Sequence, residues 1–302
     1  MKPAVSVVIV SFRSRDTLGP CLASLAGCRD RVNLEVVVVD NAPGDGTVEW
    51  IHHEHPWVVT VANQENAGFT RGVNQGLAKA RGAFLFVLNP DCEVGTTALE
   101  ELVRVASERP RIAAVAPLLV DSDGHGARSC GRFPNLWTLF CDHLGLAGAF
   151  PDSPWFGRYK YGGCTLESLD RVDWASGAAL LIPRAAYAAL GGLDENIFMY
   201  MEEVDWCRRA AQSGLEVHFV PQARIVHHGQ HSSRQAPGET YLHNLRSRVY
   251  YFRKHFGAQV ATVAKGILVL SLLLKWMVAS LRAGSKPFRL IYARGMEVVW
   301  AA

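Results

Sequence analysis

The stretch "LFVLNPDCEV", residues 85–94, decides the fold of the first half of the chain. A run of apolar residues is typical of a strand that is covered on both faces of a parallel sheet, although a short buried helix has the same pattern. Pro90 has no amide hydrogen for a strand ladder, so the strand is predicted to stop before it. Asp91 is then expected just past the strand's carboxyl end, where open α/β sheets bind ligands; a capping Asp in a turn is the alternative.

Apolar strands alternate with helical segments on both sides of this stretch. Strand patterns occur at residues 5–12, 34–41, 57–63 and 112–120, and helical patterns separate them. The alternation predicts βαβ units and an α/β fold with a mostly parallel central sheet flanked by helices. Residues 121–163, rich in Gly, Pro and aromatic residues, are expected to be irregular.

Two of the predicted strands end in a carboxylate, at Asp40 and at Asp91. Because the carboxyl ends of parallel strands lie along one edge of a sheet, both side chains are expected to face one crevice. Asp40 is suited to accept hydrogen bonds from a base or a ribose, and Asp91 to bind a divalent cation through oxygen. An Asx turn in "DNAPGDGT" explains Asp40 equally well, because Asn, Pro, Asp and Gly are turn-forming residues.

Three acids lie within four residues of "FMYMEEVDWCRR", at Glu202, Glu203 and Asp205. Like charges this close tend to raise at least one pKa, which suits a general base. Acids in the first turn of a helix are also ordinary on a solvated face. Both interpretations stay open at this point.

Three histidines follow a predicted strand in "IVHHGQHSS", at His227, His228 and His231. Imidazole is a common metal ligand, and a strand-end Asp is predicted nearby. The segment therefore predicts a ligand role for at least one of them.

Composition and missing motifs exclude several classes of protein. The chain has seven cysteines, an odd number with no CxxC pair, and its start lacks a signal-peptide pattern, so a cytoplasmic protein with reduced thiols is expected. "SFRSRDTLG" after the first strand has neither a GxGxxG nor a Walker loop, which disfavours a dinucleotide dehydrogenase. If a nucleotide diphosphate binds here, a metal on Asp91 could neutralise it.

The last 62 residues differ in charge from the rest of the chain. Residues 241–302 contain ten Lys or Arg and one acid, a balance of +9, and the preceding residues carry −6. Residues 260–281 are long and apolar enough to span a bilayer, but Lys275 lies within them and basic residues flank both sides. A helix in the plane of an anionic membrane is the favoured prediction, and a helical hairpin that packs on the catalytic domain or on a second subunit is the alternative.

Taken together, the motifs from about residue 4 to residue 234 resemble the family 2 glycosyltransferases, in particular a bacterial rhamnosyltransferase-like branch with a GT-A fold. The resemblance depends on the order of five segments: "VSVVIVSF", "VVVVDNAPGDGT", "NQENAGFTRGVNQGLAKARGAFLFVLNPD", "WASGAALLIPRAAYAALGGLDENIFMYMEEVDWCRR" and "IVHHGQHSS". It implies a catalytic domain over residues 1–235, and the charge and apolar pattern of residues 236–302 predicts a helical, membrane-associating extension. It also implies an inverting transfer from a nucleotide-diphosphate sugar with Mg²⁺ or Mn²⁺.

The resemblance assigns roles to individual residues. "LNPD" stands where other members have a metal-binding DxD, so Asp91 is the implied carboxylate ligand and His227 the late histidine of the metal site. The helix usually reads Glu-Asp-x-Asp, which makes Glu203 the implied base and Asp205 the second candidate. The implied donor-binding residues are Ser11, Asp40, Asn41, Asn66, Gly68, Phe69, Asn74 and Asn89. The acceptor-side candidates are Trp174, Gly177 and Glu202.

The resemblance favours rhamnose from dTDP-rhamnose as the donor sugar, with a UDP-hexose or galactofuranose donor as the alternative. The implied acceptor is a glycan or a polyprenyl-diphosphate-linked sugar in cell-surface polysaccharide synthesis. An enzyme peripheral on the inner face of the plasma membrane is expected, with a homodimer possible and no nucleic-acid partner. A non-catalytic nucleotide-sugar or glycan-binding module is the alternative from another class, and a sugar nucleotidyltransferase is disfavoured because no Gly- and Arg-rich loop follows the first strand.

Overall fold

The computed structural model describes residues 3–229, 236–281 and 284–302, and in this part of the chain nine strands form one central sheet. Their order is β3-β2-β1-β4-β10-β6-β11-β5, and β8 pairs with β11. The strands are β1 (Val5–Ser11), β2 (Leu34–Asp40), β3 (Val58–Ala62), β4 (Phe84–Leu88), β5 (Cys92–Val94), β6 (Ile112–Val120), β7 (Cys130–Gly131), β8 (Arg171–Val172), β9 (Trp174–Ala175), β10 (Ala179–Pro183) and β11 (Glu216–His227). The small strands β7 and β9 pair with each other.

Helices cover the sheet and form the C-terminal region. They are α1 (Arg15–Cys28), α2 (Thr47–Glu54), α3 (Phe69–Lys79), α4 (Thr96–Glu108), α5 (Leu136–His143), α6 (Leu146–Ala149), α7 (Arg184–Leu190), α8 (Glu202–Gln212), α9 (Pro237–Ser280) and α10 (Lys286–Ala301). Helix α5 lies in the stretch that was predicted to be irregular. It begins at a capping box in which the side chains of Asn135 and Thr138 satisfy each other's backbone amides.

The first four long strands are parallel, as the alternating pattern predicts. Strand β1 is buried along its whole length and pairs with both β2 and β4. The second half of the sheet is mixed, because β10 runs antiparallel between β4 and β6. All the strand ends that carry the predicted acids therefore lie on one edge.

The short strand β5 was not predicted, and it decides the geometry of that edge. The chain turns at Pro90 and then pairs antiparallel with the end of β11, with Cys92 opposite His227. The amide of His228 donates to the carbonyl of Asp91 at 3.0 Å. This pairing brings two distant parts of the sequence, Asp91 and His227, to one corner.

The C-terminal region packs on the rest of the chain. Helix α9 consists of two halves that meet at Gly257, whose φ of 84° is in the region that glycine adopts without strain. One hydrophobic cluster joins side chains of the tail, such as Leu245 and Val249, to side chains of the sheet, such as Leu85 and Val87. The boundary at residue 235 remains a prediction, and the packing across it is continuous.

Candidate functional site

Asp91 and His227 form the corner of a crevice at the carboxyl edge of the sheet. Asp91 Oδ1 lies 3.2 Å from His227 Nε2, and the Asp91 residue is 6% exposed. His227 Nε2 is buried and makes no hydrogen bond to any described residue. A buried imidazole nitrogen that has no hydrogen bond and lies beside a carboxylate oxygen is suited to bind a divalent cation together with that oxygen. The two residues therefore fit the metal site that the sequence predicted.

Cys92 lies beside this pair and was not predicted. Its sulfur is within 4.8 Å of the ligand atoms of Asp91 and His227. Burial raises the pKa of the Cys92 thiol well above its ordinary value, and the charge of Asp91 raises it further. The thiol also donates to the carbonyl of Ala178 at 3.5 Å. Cys92 thus stays protonated, and the oxygen and imidazole ligands remain the candidates for a hard cation.

The first turn of α8 forms the opposite wall of the crevice. The turn before it has two consecutive non-glycine residues with positive φ, Tyr200 at 63° and Met201 at 70°. Such backbone is uncommon outside functional sites and tight turns. It places Glu202 and Glu203 at the first two positions of the helix. The free backbone amides at a helix N-terminus stabilise negatively charged side chains there. Gly177 lies opposite, and a Cβ there would contact the Cβ of Glu203 at 3.7 Å.

Among the described residues, neither glutamate has hydrogen-bond partners for both of its carboxylate oxygens. One carboxylate oxygen of each, Oε2, is buried and makes no hydrogen bond to a described residue. Burial raises the pKa of Glu202, and the charge of Glu203 raises it further. Burial also raises the pKa of Glu203, although backbone amides and the charges of Lys160 and Arg248 partly offset the rise. Of the two, Glu203 is the more exposed, so it is the better placed to take a proton from a substrate.

Asp205, the second candidate base, lies away from the crevice and is fully buried. Its Oδ1 is 2.7 Å from Lys254 Nζ and 2.8 Å from His255 Nε2, and its Oδ2 accepts from Arg209 Nε at 3.0 Å. Burial alone would raise the pKa of Asp205, but the hydrogen bonds from His255 and Lys254 outweigh it and lower the pKa. Lys254 Nζ also lies 2.7 Å from Asp194 Oδ2. Asp205 therefore connects α8 to α9.

The predicted base-binding end of the crevice lies at the ends of β1 and β2. Ser11 is in register with Asp40, so both side chains reach the same edge. Burial raises the pKa of Asp40 to about 6, although the Ala42 amide donates to its Oδ1 at 3.2 Å. That amide contact is an Asx turn, so the turn interpretation of Asp40 is correct and leaves its second oxygen for a ligand.

The loop before α3 is held tightly against this edge. Asn41 Nδ2 donates to the carbonyl of Gly68 at 3.0 Å, and the amide of Gly68 donates to Asn66 Oδ1 at 3.0 Å. Gly68 has a φ of 85°, and a Cβ there would lie 2.6 Å from the ring of Phe198. Only glycine fits this position, because both the backbone angle and the close approach exclude a side chain.

The remaining predicted residues divide between the crevice and its support. Phe69 and Asn89 line the crevice together with Gly177, Glu202 and Glu203. Asn74 instead donates to the carbonyl of Leu193 at 2.9 Å, which holds the loop after α7 in place. Trp174 is buried, and its indole donates to the carbonyl of Arg132 at 2.9 Å. Asn74 and Trp174 thus support the site from behind.

Two basic side chains whose charges act on Glu203 were not predicted from the sequence. Lys160 lies in the stretch predicted to be irregular, with its ammonium 4.1 Å from the Trp174 ring, and burial lowers its pKa to about 8. Arg248, on α9, pairs with Asp142 at 3.1 Å. No spacing in the sequence relates either residue to Glu203, so only the folded chain places them there.

The histidine segment is only partly described. His228 Nε2 lies 2.7 Å from Glu93 Oε1, which turns this ring away from Asp91. His231 falls outside the described residues. Of the histidines that the structure describes in this segment, His227 is the one that lies beside Asp91, the predicted metal ligand.

The sequence and the fold were compared with known proteins. The family model described as "Glycosyl transferase family 2" matches residues 6–156. The N-acetylglucosaminyl-diphospho-decaprenol L-rhamnosyltransferase of Mycobacterium tuberculosis is 32% identical over 270 residues, which cover 85% of this chain and 87% of that protein.

Two solved structures show the same fold. The mannosyltransferase PcManGT from Pyrobaculum calidifontis, in complex with GDP-Man and Mn²⁺, has a TM-score of 0.56 at 16% identity and covers 100% of this chain and 87% of its own. TarS 1-349 from S. aureus, in complex with UDP, has a TM-score of 0.54 at 15% identity, with coverage of 96% and 75%. These likenesses confirm the predicted fold class.

Proposed function

The chain belongs to glycosyl transferase family 2, and from that premise we propose that it moves L-rhamnose from dTDP-rhamnose to a hydroxyl of a polyprenyl-diphosphate-linked sugar. The transfer would be inverting and would use Mg²⁺ or Mn²⁺. It would serve cell-surface polysaccharide synthesis at the inner face of the plasma membrane. The relative named for rhamnose and a decaprenol-linked acceptor supports both substrate classes, because it aligns along most of both chains.

The single observation that carries the proposal is that one crevice holds two complementary groups. Asp91 and His227 meet at one wall, where a divalent cation would have a carboxylate oxygen and an imidazole nitrogen 3.2 Å apart as ligands. Glu203 lies on the other wall with an unpaired carboxylate oxygen and a raised pKa. A one-step transfer requires a base for the acceptor hydroxyl and a bound cation for the leaving diphosphate, on opposite walls of one crevice.

The chain's own residues perform the proton transfer. The acceptor hydroxyl attacks the anomeric carbon, the new carbon–oxygen bond forms, and the bond to the diphosphate breaks on the opposite face. Glu203 takes the hydroxyl proton, and its raised pKa makes it a stronger base than an ordinary glutamate. A divalent metal bound at Asp91 and His227 would supply positive charge for the departing diphosphate. One displacement gives inversion.

Two alternatives stay open to experiment. Another donor, a UDP-hexose or galactofuranose, would use the same edge, since Asp40 accepts hydrogen bonds from any ribose. A non-catalytic binding module is the alternative from another class. The unpaired, partly exposed Glu203 argues against it, because a binding module gains nothing from a carboxylate that costs energy to bury.

The experiment that tests the proposal is a donor panel with product analysis. Purified protein is incubated with dTDP-rhamnose, UDP-glucose, UDP-galactofuranose and Mn²⁺, with and without a polyprenyl-diphosphate-linked N-acetylglucosamine. We expect dTDP release and an inverted rhamnoside only with dTDP-rhamnose and acceptor together. Binding of all donors with no turnover would favour the binding module.

The tail is proposed to lie on an anionic membrane. In the described residues, one helix, α9, is long and apolar enough to cross a bilayer by length and composition, and 28% of its most apolar window is buried. The second half of α9 packs against α10 as a helical hairpin. Its outer face still exposes Trp276 and Leu281. A hairpin with an apolar outer face and a basic charge balance suits the membrane surface. A homodimer stays a prediction.

A vesicle experiment tests the membrane proposal. Truncation after residue 240 is unsuitable, because it would remove Leu245 and Val249 from the hydrophobic core. Trp276→Ser with Leu281→Ser leaves the core intact and should abolish salt-sensitive sedimentation with phosphatidylglycerol vesicles. Val59→Ser, at an exposed apolar residue of β3, is the matched control. Equal sedimentation of all forms would contradict the proposal.

A further inference from the structure

An open groove separates the end of α5 from the hairpin of α9 and α10. It is distinct from the crevice, and the proposed chemistry does not use it. Six of its lining residues carry the argument: His143, Leu274, Lys275, Val278, Phe288 and Tyr292. We call it the tail groove.

One end of the tail groove is polar and positively charged. His143 is 8% exposed, and neither ring nitrogen makes a hydrogen bond to a described residue. Burial lowers the pKa of His143, and the charges of Arg248 and Lys275 lower it further, so the ring is neutral and offers one N–H. Lys275 places its ammonium 5.8 Å from the Tyr241 ring. Asp142 is the acid at this end, and its ion pair with Arg248 at 3.1 Å neutralises it.

The walls of the tail groove are apolar and open to solvent. Leu274, Val278 and Phe288 are 41%, 50% and 58% exposed. Leu274 and Val278 are four residues apart on α9, so they share one helix face with Lys275 beside them. A site with a cationic end and a long apolar wall is complementary to a phosphate that carries a hydrocarbon chain.

Charged side chains connect the polar end of the tail groove with the region of Glu203. Arg248 pairs with Asp142 of the groove, and its charge acts on both His143 and Glu203. Lys160 also acts on Glu203, and it belongs to the short helical turn that contacts α5. A molecule held in the groove by its phosphate could therefore extend toward Glu203 past Arg248.

We propose that the tail groove binds the phosphate-proximal part of the acceptor's polyprenyl chain, with Lys275 on the phosphate and Leu274, Val278 and Phe288 along the first isoprene units. This inference rests on the proposed function. A single hairpin would then both contact the membrane and bind the lipid that leaves it.

The test uses the full-length protein in detergent, which removes the contribution of a bilayer. Val278→Asp changes the groove wall, and Met277→Asp is its matched control, because Met277 is equally exposed on the same helix but does not line the groove. Lys275→Met removes the charge at similar length, and Lys275→Arg restores it. Binding of decaprenyl phosphate is measured directly, with inorganic phosphate and phosphatidylglycerol as competitors. Transfer is measured with a decaprenyl-diphosphate-linked acceptor and with the same sugar diphosphate lacking the prenyl chain.

We expect Val278→Asp to weaken decaprenyl phosphate binding and raise KM for the prenylated acceptor at least about tenfold, equivalent to about 1.4 kcal/mol. Met277→Asp should behave as wild type, and the prenyl-free acceptor should show no change with either variant. Lys275→Met should weaken binding and Lys275→Arg should restore it.

Three results would overturn the assignment: equal effects of Val278→Asp and Met277→Asp, equal effects on both acceptors, or displacement of decaprenyl phosphate by an equal amount of phosphatidylglycerol. The last would assign the groove to membrane headgroups. A protein that binds decaprenyl phosphate with the expected sensitivity to Val278→Asp but transfers no rhamnose would refute the proposed function and leave the groove assigned.

Discussion

The two faces of helix α8 hold acids of the same kind in opposite states. On the crevice face, Glu203 keeps an unpaired carboxylate oxygen, and burial raises its pKa. On the opposite face, Asp205 has three cationic or imidazole partners within 3.0 Å, and its pKa is lowered. Residues two positions apart thus have pKa values shifted in opposite directions.

The difference supports the proposal that Glu203 is the base and that Asp205 has a structural role. A base needs an unsatisfied carboxylate that a substrate can reach, and Glu203 has one. Asp205 is held by Lys254 and His255 of α9, so its negative charge is used to anchor the tail against α8.

The largest effect is expected for Glu203→Gln. The substitution keeps the shape of the side chain and removes its proton affinity, so kcat should fall by roughly 10² to 10⁴ while donor binding is unchanged. The measurement is single-turnover transfer, with calorimetric donor binding in parallel. If Asp205→Asn shows this loss with normal folding and Glu203→Gln does not, the base lies on the other face of α8.

The second prediction concerns the metal corner. Asp91→Asn should lower Mn²⁺-dependent kcat by about 10² to 10³, because charge on the departing diphosphate then lacks a positioned cation. Glu93→Gln, two residues further along the chain in β5, is the control, since Glu93 pairs with His228 at a half-exposed site. Wild-type activity that persists in a chelator would contradict the assignment of Asp91 and His227.

The third prediction concerns the opposite face. Asp205→Asn should lower the free energy of unfolding by about 3 kcal/mol, because the substitution leaves Lys254, His255 and Arg209 without their shared anion. This loss of free energy is at the lower end of the range for a broken buried ion pair, because the Lys254 and Arg209 side chains are partly exposed to solvent. Urea unfolding measures it. Asp152→Asn, which breaks an exposed pair with Arg128, should change the free energy by only about 0 to 1 kcal/mol.

The smallest effect is a difference in pH dependence. Asp205 has a lowered folded pKa, so its stabilisation is present above its unfolded pKa of about 3.9 and is lost as pH falls through the folded pKa. Glu203 has a raised folded pKa, so ionising it destabilises the fold as pH rises from about 4.3 through that raised pKa.

Unfolding of the variants across pH separates the two contributions. Asp205→Asn should flatten the loss of stability in acid, and Glu203→Gln should make the protein more stable than wild type above the folded pKa of Glu203. In wild type, kcat should fall with decreasing pH at a higher pH than an ordinary glutamate implies. Parallel pH profiles for both variants would show that the two faces do not differ.

Much of the crevice edge could be predicted from local patterns. The apolar run that ends at Pro90 predicts a buried strand with Asp91 at its carboxyl end, and the acid run predicts carboxylates at a helix start. These predictions succeed because strand burial and helix starts depend on neighbouring residues. The antiparallel second half of the sheet has no such local signal, because apolar runs do not reveal strand direction.

From the sequence alone, one could predict the parallel first half of the sheet, the family, and the residue types available for cation binding and proton transfer. Only the tertiary structure decided that Glu203 faces the crevice while Asp205 is paired with α9, and that Lys160 and Arg248 lie near the base. It also decided that β5 brings Asp91 to His227. The physical reason is that pairing between distant residues depends on strand direction and helix packing, which the chain acquires only when its apolar faces are buried together.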